Sequence, residues 1–481
     1  MAEPAGRTFV HLVPRFVGGG PERTTLALVA GMRALGFDDR HSILALDREL
    51  SPRLLLECRR LGVELVRAPD DETVVHHVRE ADLVHIHYWN HPALTSLLRR
   101  VELPPARALV WVRVHGAAPP QVITDDITEL ADALVVTSAS SLDLPPVESA
   151  RRRGIPLEHI PGVIDVGRLA DATPRPHRGI VVGYLGLVAH AKLHPRFAEL
   201  CALVRTPDVR FVVVGGGGGH DELREELRRA GLADRSEVRE PTEDVASVLA
   251  EMDIFGYPLA PDTYASSDRT LQEAMWMGVP PVLLPSAGTA WMVDHERTGL
   301  VADEGGYAAA IDRLATDPSL RARLGAAARD HARAAFDPVE STKRYAALID
   351  RALERPRRSR APLPGAGETA AENFVRSLGT AAGPFAISVA GSDGSDLAAV
   401  AAADRLIAAS SAALVRGEGG VVHHRNAFPD DPHLRLWSGL IAEAEGRLEL
   451  AAAEFEAAAA LGLSDGRPPA YLARSARTGQ T

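Results

Sequence analysis

Cysteine is nearly missing from this sequence: two residues in 481, Cys58 and Cys201. They lie far apart, in neither CxxC nor metal-ligand spacing, which excludes a disulfide framework and a cysteine-built zinc site and points to a reducing compartment. No run of about 18 apolar residues occurs, so a membrane-spanning helix is not expected. Nor does a charged-then-apolar leader open the chain, and a cytoplasmic protein is the expectation. Positive charge is in deficit. The 53 Lys and Arg against 64 Asp and Glu leave a net charge of −11, the wrong sign for a general binder of nucleic acid or anionic membranes. There is no GxxxxGK[ST] phosphate loop, and no DxD pair follows a strand; Asp125 and Asp126 in "TDDITE" read as first-turn acids of a helix. What is present is an ordinary soluble composition, 46% apolar and 24% charged, in a chain long enough for two or three domains.

From Thr8 short apolar runs alternate with amphipathic segments. "TFVHLVP", "HSILALD", "VELVRAP", "DLVHIHYW", "ALVWVRVHG" and "ALVVTS" predict strands, and "ERTTLALVAGMRALG" predicts a helix closed by Gly36. A second series begins near Gly179 with "GIVVGYLG", "VRFVVVGGG", "SEVRE", "DIFGYPL" and "PPVLLPS". Strands apolar on both faces and separated by helices predict parallel sheets between helix layers. The fold class expected is α/β: two Rossmann-like, doubly wound domains facing across a cleft, with an α-helical C-terminal extension. Expected boundaries are 1–170 and 171–355, joined around "PGVIDVGRLADATPRPHRG", then a basic Pro/Gly-rich linker at 356–368 and helices over 369–481. Within the helices, Gly439, Gly446, Ala451, Phe455 and Ala458 have the spacing of one tetratricopeptide-like unit. One such unit cannot bury its own face, so an antiparallel helix pair docked on the main body is expected. Contact with a partner protein through these helices stays open.

Two strands end in glycine runs that open helices: Gly18, Gly19 and Gly20 before Pro21, and Gly215 to Gly219 before "HDELREEL". Glycine admits close backbone approach, and a helix start exposes N–H groups, so each is a seat for a phosphate or a sugar hydroxyl. Ligands on such sheets sit beyond the carboxyl ends of the strands. Two such seats suggest a ligand gripped from both domains. A third stretch, "SSDRTLQEAMWMGVPPVLLPSAG", sets one acid, Glu273, among the apolar residues of a short helix.

Taken in order, these features resemble the retaining, metal-independent glycosyltransferases of the GT-B fold, in particular the GT4-like (group 1) family, over roughly residues 8–355. Gly19, Gly20 and Glu22 resemble that family's GG-E loop, "ADLVHIHYW" its DVVHxH strand, and "VRVHG" its strand ending in histidine, here His115. "HIPGVIDVGRL" is similar to its IPNGVD crossover with Asp165 kept, and "GYLGLVAHAKL" to YVGRLxxxKG with Lys192 as the lysine. "MDIFGYPLAP" and "LQEAMWMGVPPVLLPSAG" complete the series. The resemblance implies transfer of a sugar from a nucleotide-sugar donor to an unidentified acceptor, with no metal or other cofactor. It implies donor binding by Gly186, Lys192, Gly215, Gly216, Thr270 and Glu273, the last holding the ribose diol. Gly19, Gly20 and Glu22 would take the acceptor, and His115 and Lys192 would act in catalysis, joined by Asp268 and Arg269, which stand where the family has Gly and an aliphatic residue.

The pattern also has departures. Ala265 stands where the family has a second acid, Leu187 where it has an arginine, and Trp291 where a later acid falls; Asp268 and Arg269 could supply replacement contacts. "SDRTLQEAMWMGVP" is similar, too, to the TTLEALWMGVP segment of O-GlcNAc-transferase-like GT-B enzymes. A catalytically degenerate sugar-nucleotide binder or partner subunit, and a GT-B epimerase or phosphorylase, stay open as alternatives. Of the remaining histidines, His190 and His194 flank Lys192 but lack a third zinc ligand at suitable spacing. His85 and His87 alternate on a strand, one of them expected in the core, while His76, His77, His423 and His424 are expected at the surface or in loops.

Overall fold

The computed structural model describes residues 6–169, 177–286, 288–365, 368–391 and 396–478; residues 170–176 of the expected interdomain join lie outside that set. The first apolar runs form β1 (Thr8–Val13), β2 (Arg40–Ala45), β3 (Glu64–Arg67), β4 (Leu83–Tyr88), β5 (Leu103–Ala106) and β6 (Ala108–Val112). A short hairpin, β7 (Ala117–Ala118) and β8 (Gln121–Val122), precedes β9 (Ala133–Val136) and β10 (Leu157–His159). Seven of these make one parallel sheet in the order β10-β9-β6-β4-β1-β2-β3. β4 and β6 are buried along their whole length. That burial is the reason their sequences run apolar without alternation. The helix Gly20–Ala34 leaves β1 and ends at Gly36, whose φ of +89° lies in the left-handed region.

The second domain repeats the plan. β11 (Ile180–Leu185), β12 (Val209–Val214), β13 (Ser236–Arg239), β14 (Ile254–Tyr257), β15 (Pro281–Leu283) and β16 (Leu300–Val301) form a parallel sheet in the order β13-β12-β11-β14-β15-β16. Both orders reverse direction beside the first strand of their series, which leaves a crevice at the carboxyl ends.

Two expected boundaries move. The helix Pro338–Leu353, expected within the second domain, returns to the first: Tyr345, Leu348 and Ile349 bury against Phe9, Leu83 and Trp111. The expected linker is likewise a built element. β17 (Arg358–Arg360) pairs antiparallel with β5, and Arg358 and the buried Arg360 both engage the buried carboxylate of Asp132. Its arginines read as linker charge in sequence because Asp132 lies so far away in the chain.

Beyond residue 368 the described chain is helical, with a core of its own around Phe374, Phe385, Trp437 and Phe455. The helices Pro432–Ala444 and Leu448–Ala460 form the expected close pair: a Cβ on Gly439 would sit 2.5 Å from the Phe455 ring. Trp437 packs on Phe374 and Phe385, so neighbouring helices of the extension, and not the main body as expected, cover the pair. The extension docks on the first domain, where Asn90 Nδ2 donates to Ser377 Oγ at 3.0 Å. Among the described residues no single helix is long and apolar enough to cross a membrane. Both cysteines are buried and unpaired.

Candidate active site

The two glycine seats face each other across one cleft of about 410 Å³ between the domains. On the first domain Gly18 takes φ +107°, Gly19 caps the Gly20–Ala34 helix, and Pro21 lies in its first turn. On the second, a Cβ on Gly215 would lie 1.6 Å from the Gly186 carbonyl oxygen. The ends of β11 and β12 therefore close on each other only because that residue is glycine. Gly19, Gly20, Gly186, Gly215 and Gly216 all line the cleft.

The Arg269–Met277 helix points its start into the same space and stops at Gly278, φ +80°. Its N-cap, Asp268, gives no side-chain bond to the helix. Instead the carboxylate takes a hydrogen bond from Tyr257 Oη at 2.6 Å and an ion pair with Lys192 Nζ at 3.1 Å. First-turn amides are thereby left for an anion. Burial by itself would depress the Lys192 ammonium, but the Asp268 carboxylate outweighs it and holds the pKa above the ordinary lysine value. Thr270 lies beside Tyr257, its Oγ1 3.4 Å from the phenol oxygen. One turn on, Glu273 is buried yet lines the cleft, and its Oε1 accepts from Arg269 Nη2 at 3.3 Å. Burial lowers the Arg269 pKa, with Glu273 opposing. So Lys192, Asp268, Arg269, Thr270 and Glu273 all line one cleft.

Glu22 also reaches the cleft, buried to 1% exposure. Neither carboxylate oxygen has a well-formed hydrogen bond among the described residues, and the backbone groups of Val17 and Glu22 itself offset part of the cost of burial. Burial pushes this carboxyl upward.

His115 is placed differently from its expected role. Its Nε2 bonds the Thr263 carbonyl of the second domain at 2.7 Å and its Nδ1 accepts from Ala117 N at 3.2 Å. With both ring nitrogens engaged, it ties the domains together and does not line the cleft. Arg113, two residues earlier on the same strand end, takes that place. Its guanidinium lies 3.8 Å over Trp111 and donates to His87 Nδ1 at 2.6 Å and to Thr25 Oγ1 at 3.1 Å. Burial brings its pKa down to about 9. Behind it His87, His11 and His41 form a buried chain with 3.0 Å between successive rings, each imidazole depressed by burial.

Because Arg113 can only donate, His87 Nδ1 must accept, and the donors then run one way through the sheet. His85 is buried as well, against Tyr345; both strand histidines are core residues, where one was expected. The sequence signal for Arg113 was a charge inside an apolar strand.

The departures have physical positions too. Ala265 and Leu187 line the cleft, where they contribute no charge. Trp291 donates to the Gly288 carbonyl at 2.8 Å and packs on His159 and Phe336, outside the cleft lining. His423 and His424 are not surface residues. His424 is buried with its pKa pressed to about 3, and His423 packs on His91 with its own near 4, both through burial. Their helix docks on the first domain, which no local pattern announces. Away from the cleft, His190, Glu222 and Glu226 bring ligand atoms within 4.8 Å of one another and could hold a divalent cation. The helix spacing of the two glutamates supplies what His194 does not; that histidine faces Glu304.

Residues 179–317 match the family "Glycosyl transferases group 1". The chain is 29% identical over 286 residues to the D-inositol 3-phosphate glycosyltransferase of Stackebrandtia nassauensis, covering 52% of this chain and 64% of that one. It is 33% identical over 175 residues to the GDP-mannose-dependent alpha-mannosyltransferase of Mycolicibacterium smegmatis, covering 36% and 44%. In both cases the match spans less than two thirds of the relative. Among solved structures, Anabaena HepE in complex with UDP-glucose superimposes with a TM-score of 0.58 at 17% identity, covering 71% of this chain and 99% of that one. WaaG, a glycosyltransferase involved in lipopolysaccharide biosynthesis, gives 0.52 at 15% identity, covering 71% and 99%. At such identities the structural likeness concerns the fold. The chain has the GT-B fold, and within its second domain residues 179–317 resemble the group 1 glycosyltransferases.

Proposed function

We propose that this protein moves a sugar from a nucleotide-sugar donor to an acceptor hydroxyl, with the donor on the second domain and the acceptor on the first. The observation that carries this reading is the placement of Glu273: a buried carboxylate on the cleft wall, one helical turn from first-turn amides and close to the Lys192–Asp268 pair. A carboxylate accepts from both hydroxyls of a ribose at once. The amides of the Arg269–Met277 helix and the Lys192 ammonium face the negative diphosphate. Charge grows on the leaving oxygen as the sugar–phosphate bond breaks, and Lys192 acts most strongly there. In a retaining front-face reaction the departing phosphate oxygen takes the proton of the attacking hydroxyl. This chain's residues then bind, orient and exclude water, and no step is assigned to a metal. Two unpaired, buried cysteines fit a cytoplasmic site of action.

The test is nucleoside diphosphate release from a panel of UDP-, GDP- and ADP-sugars, with and without a broad acceptor panel. Slow hydrolysis of one donor, accelerated by an acceptor, is the expected result. Tight donor binding with no turnover would select a sugar-nucleotide binder instead. The anomeric configuration of the product decides whether the reaction retains.

A further inference from the structure

One wall of the cleft belongs to neither Rossmann-like domain. The turn Gly417–Gly420 joins the helices Ala412–Arg416 and Val421–Ala427 of the extension and enters the first domain beside Trp89. Gly419 has φ +78°, and a Cβ there would lie 1.9 Å from the Asn90 carbonyl oxygen, so the turn seats only as glycine. Gln121 Nε2 clamps the Glu418 carbonyl from the other side. Thus held, the Glu418 side chain lines the cleft together with Glu22. Its Oε1 accepts from Trp89 Nε1 at 2.8 Å and meets Arg15 Nε at 2.9 Å; Oε2 takes part in neither contact. Arg15, Leu187, Tyr264 and Glu418 line both this cleft and a wider groove of about 1200 Å³ between the extension and the Gly217–Gly219 loop. Glu418 therefore stands where the two spaces meet.

We propose that Glu418 is an acceptor-binding residue supplied by the C-terminal extension, and that with Glu22 it holds the hydroxyl groups of an uncharged polyol. Calling the ligand an acceptor rests on the transferase reading above; the polyol site itself does not. Carboxylate oxygens only accept, so they select ligands rich in O–H donors. Arg15 already neutralises Glu418, and burial pushes the carboxyls of both Glu22 and Glu418 upward, so neither demands a cation. Neutral hydroxyls fit this chemistry better than an amine.

The experiment is saturation-transfer NMR on the full chain with D-glucose, myo-inositol and maltotriose as probes, alongside calorimetric titration with UDP, GDP and ADP. The wild-type protein is expected to bind at least one polyol, Glu418→Gln to weaken that binding about tenfold or more, and nucleotide affinity to stay unchanged. Failure of all three polyols to bind the wild type would overturn the proposal. So would equal binding by Glu418→Gln, or an equal loss of nucleotide and polyol binding. If melting shows Glu418→Gln misfolded, Glu418→Asp decides, and polyol affinity at the wild-type level would overturn the assignment. Polyol binding lost in the variant, with no nucleotide bound by any form, would support the Glu418 site and remove the transferase reading.

Discussion

Two charges line the proposed donor half of the cleft, the buried Glu273 and the half-buried Lys192, and each can be removed singly. Glu273→Ala is expected to weaken nucleoside diphosphate binding by roughly 1.5–3 kcal/mol, the worth of hydrogen bonds to a charged group. Calorimetry on the folded variant checks this, and an unchanged dissociation constant would remove the ribose assignment. Lys192→Ala is expected to lower kcat more than donor affinity, since in the proposed reaction its ammonium faces the phosphate that gains charge. A variant with full turnover would reduce Lys192 to a partner of Asp268. At this scale Glu273, Thr270 and Lys192 were legible in the sequence, because each sits in a short segment with its own local geometry. His115 was expected at the cleft, but Arg113, which carried no expectation, lines it instead. Which of two residues at a strand end turns into the cleft depends on what waits on the far side, and here the Thr263 carbonyl claims the histidine.

At the scale of elements, the strand ends that build the cleft tolerate little. Gly215→Ala would drive a methyl group into the Gly186 carbonyl. A loss of about 1–3 kcal/mol in denaturant unfolding is expected, as for other overpacked sites. Asp132→Ala would strand the buried Arg360 without its carboxylate. About 3–5 kcal/mol is expected from breaking a buried pair by removing one partner. A smaller loss in either variant would show that the backbone or the arginine relaxes. Nearly every strand was legible, since runs buried on both faces have no polar alternation to confuse them. The helix Pro338–Leu353 was expected beside the second sheet and β17 as linker, because amphipathicity states that a face is buried and not against which sheet, and a basic Pro/Gly-rich stretch gives no pairing partner.

For the whole molecule, buried histidines set the acid limit. Burial lowers His41 from 6.5 to about 4, His423 likewise to about 4 and His424 to about 3, while His11, His85 and His87 fall well below 6.5. The unfolded chain binds protons near pH 6.5 that the folded chain refuses, so the unfolded state carries more protons between about 6.5 and 4 and folding stability rises with pH across that window. Stability is expected in full above pH 6.5 and to fall steadily as pH drops toward 4. Thermal melts from pH 8 to 4 check this; a flat profile would mean the imidazoles gain water or partners when protonated. His11→Phe should flatten part of the slope. His423 and His424 bind this behaviour to the docking of the extension, which is also what brings Glu418 to the cleft.

The sequence by itself determined the two parallel sheets, their glycine-rich turns and the acid-bearing helix that points at the cleft. These follow from hydrophobic period, backbone freedom and helix ends, which act over a few residues. Only the tertiary structure decided which distant groups share a space: Arg113 with the buried histidines, Asp132 with two arginines from an apparent linker, and an extension glutamate with the first domain. Such pairings join residues tens to hundreds of positions apart, and no local pattern encodes the partner that a buried charge will meet.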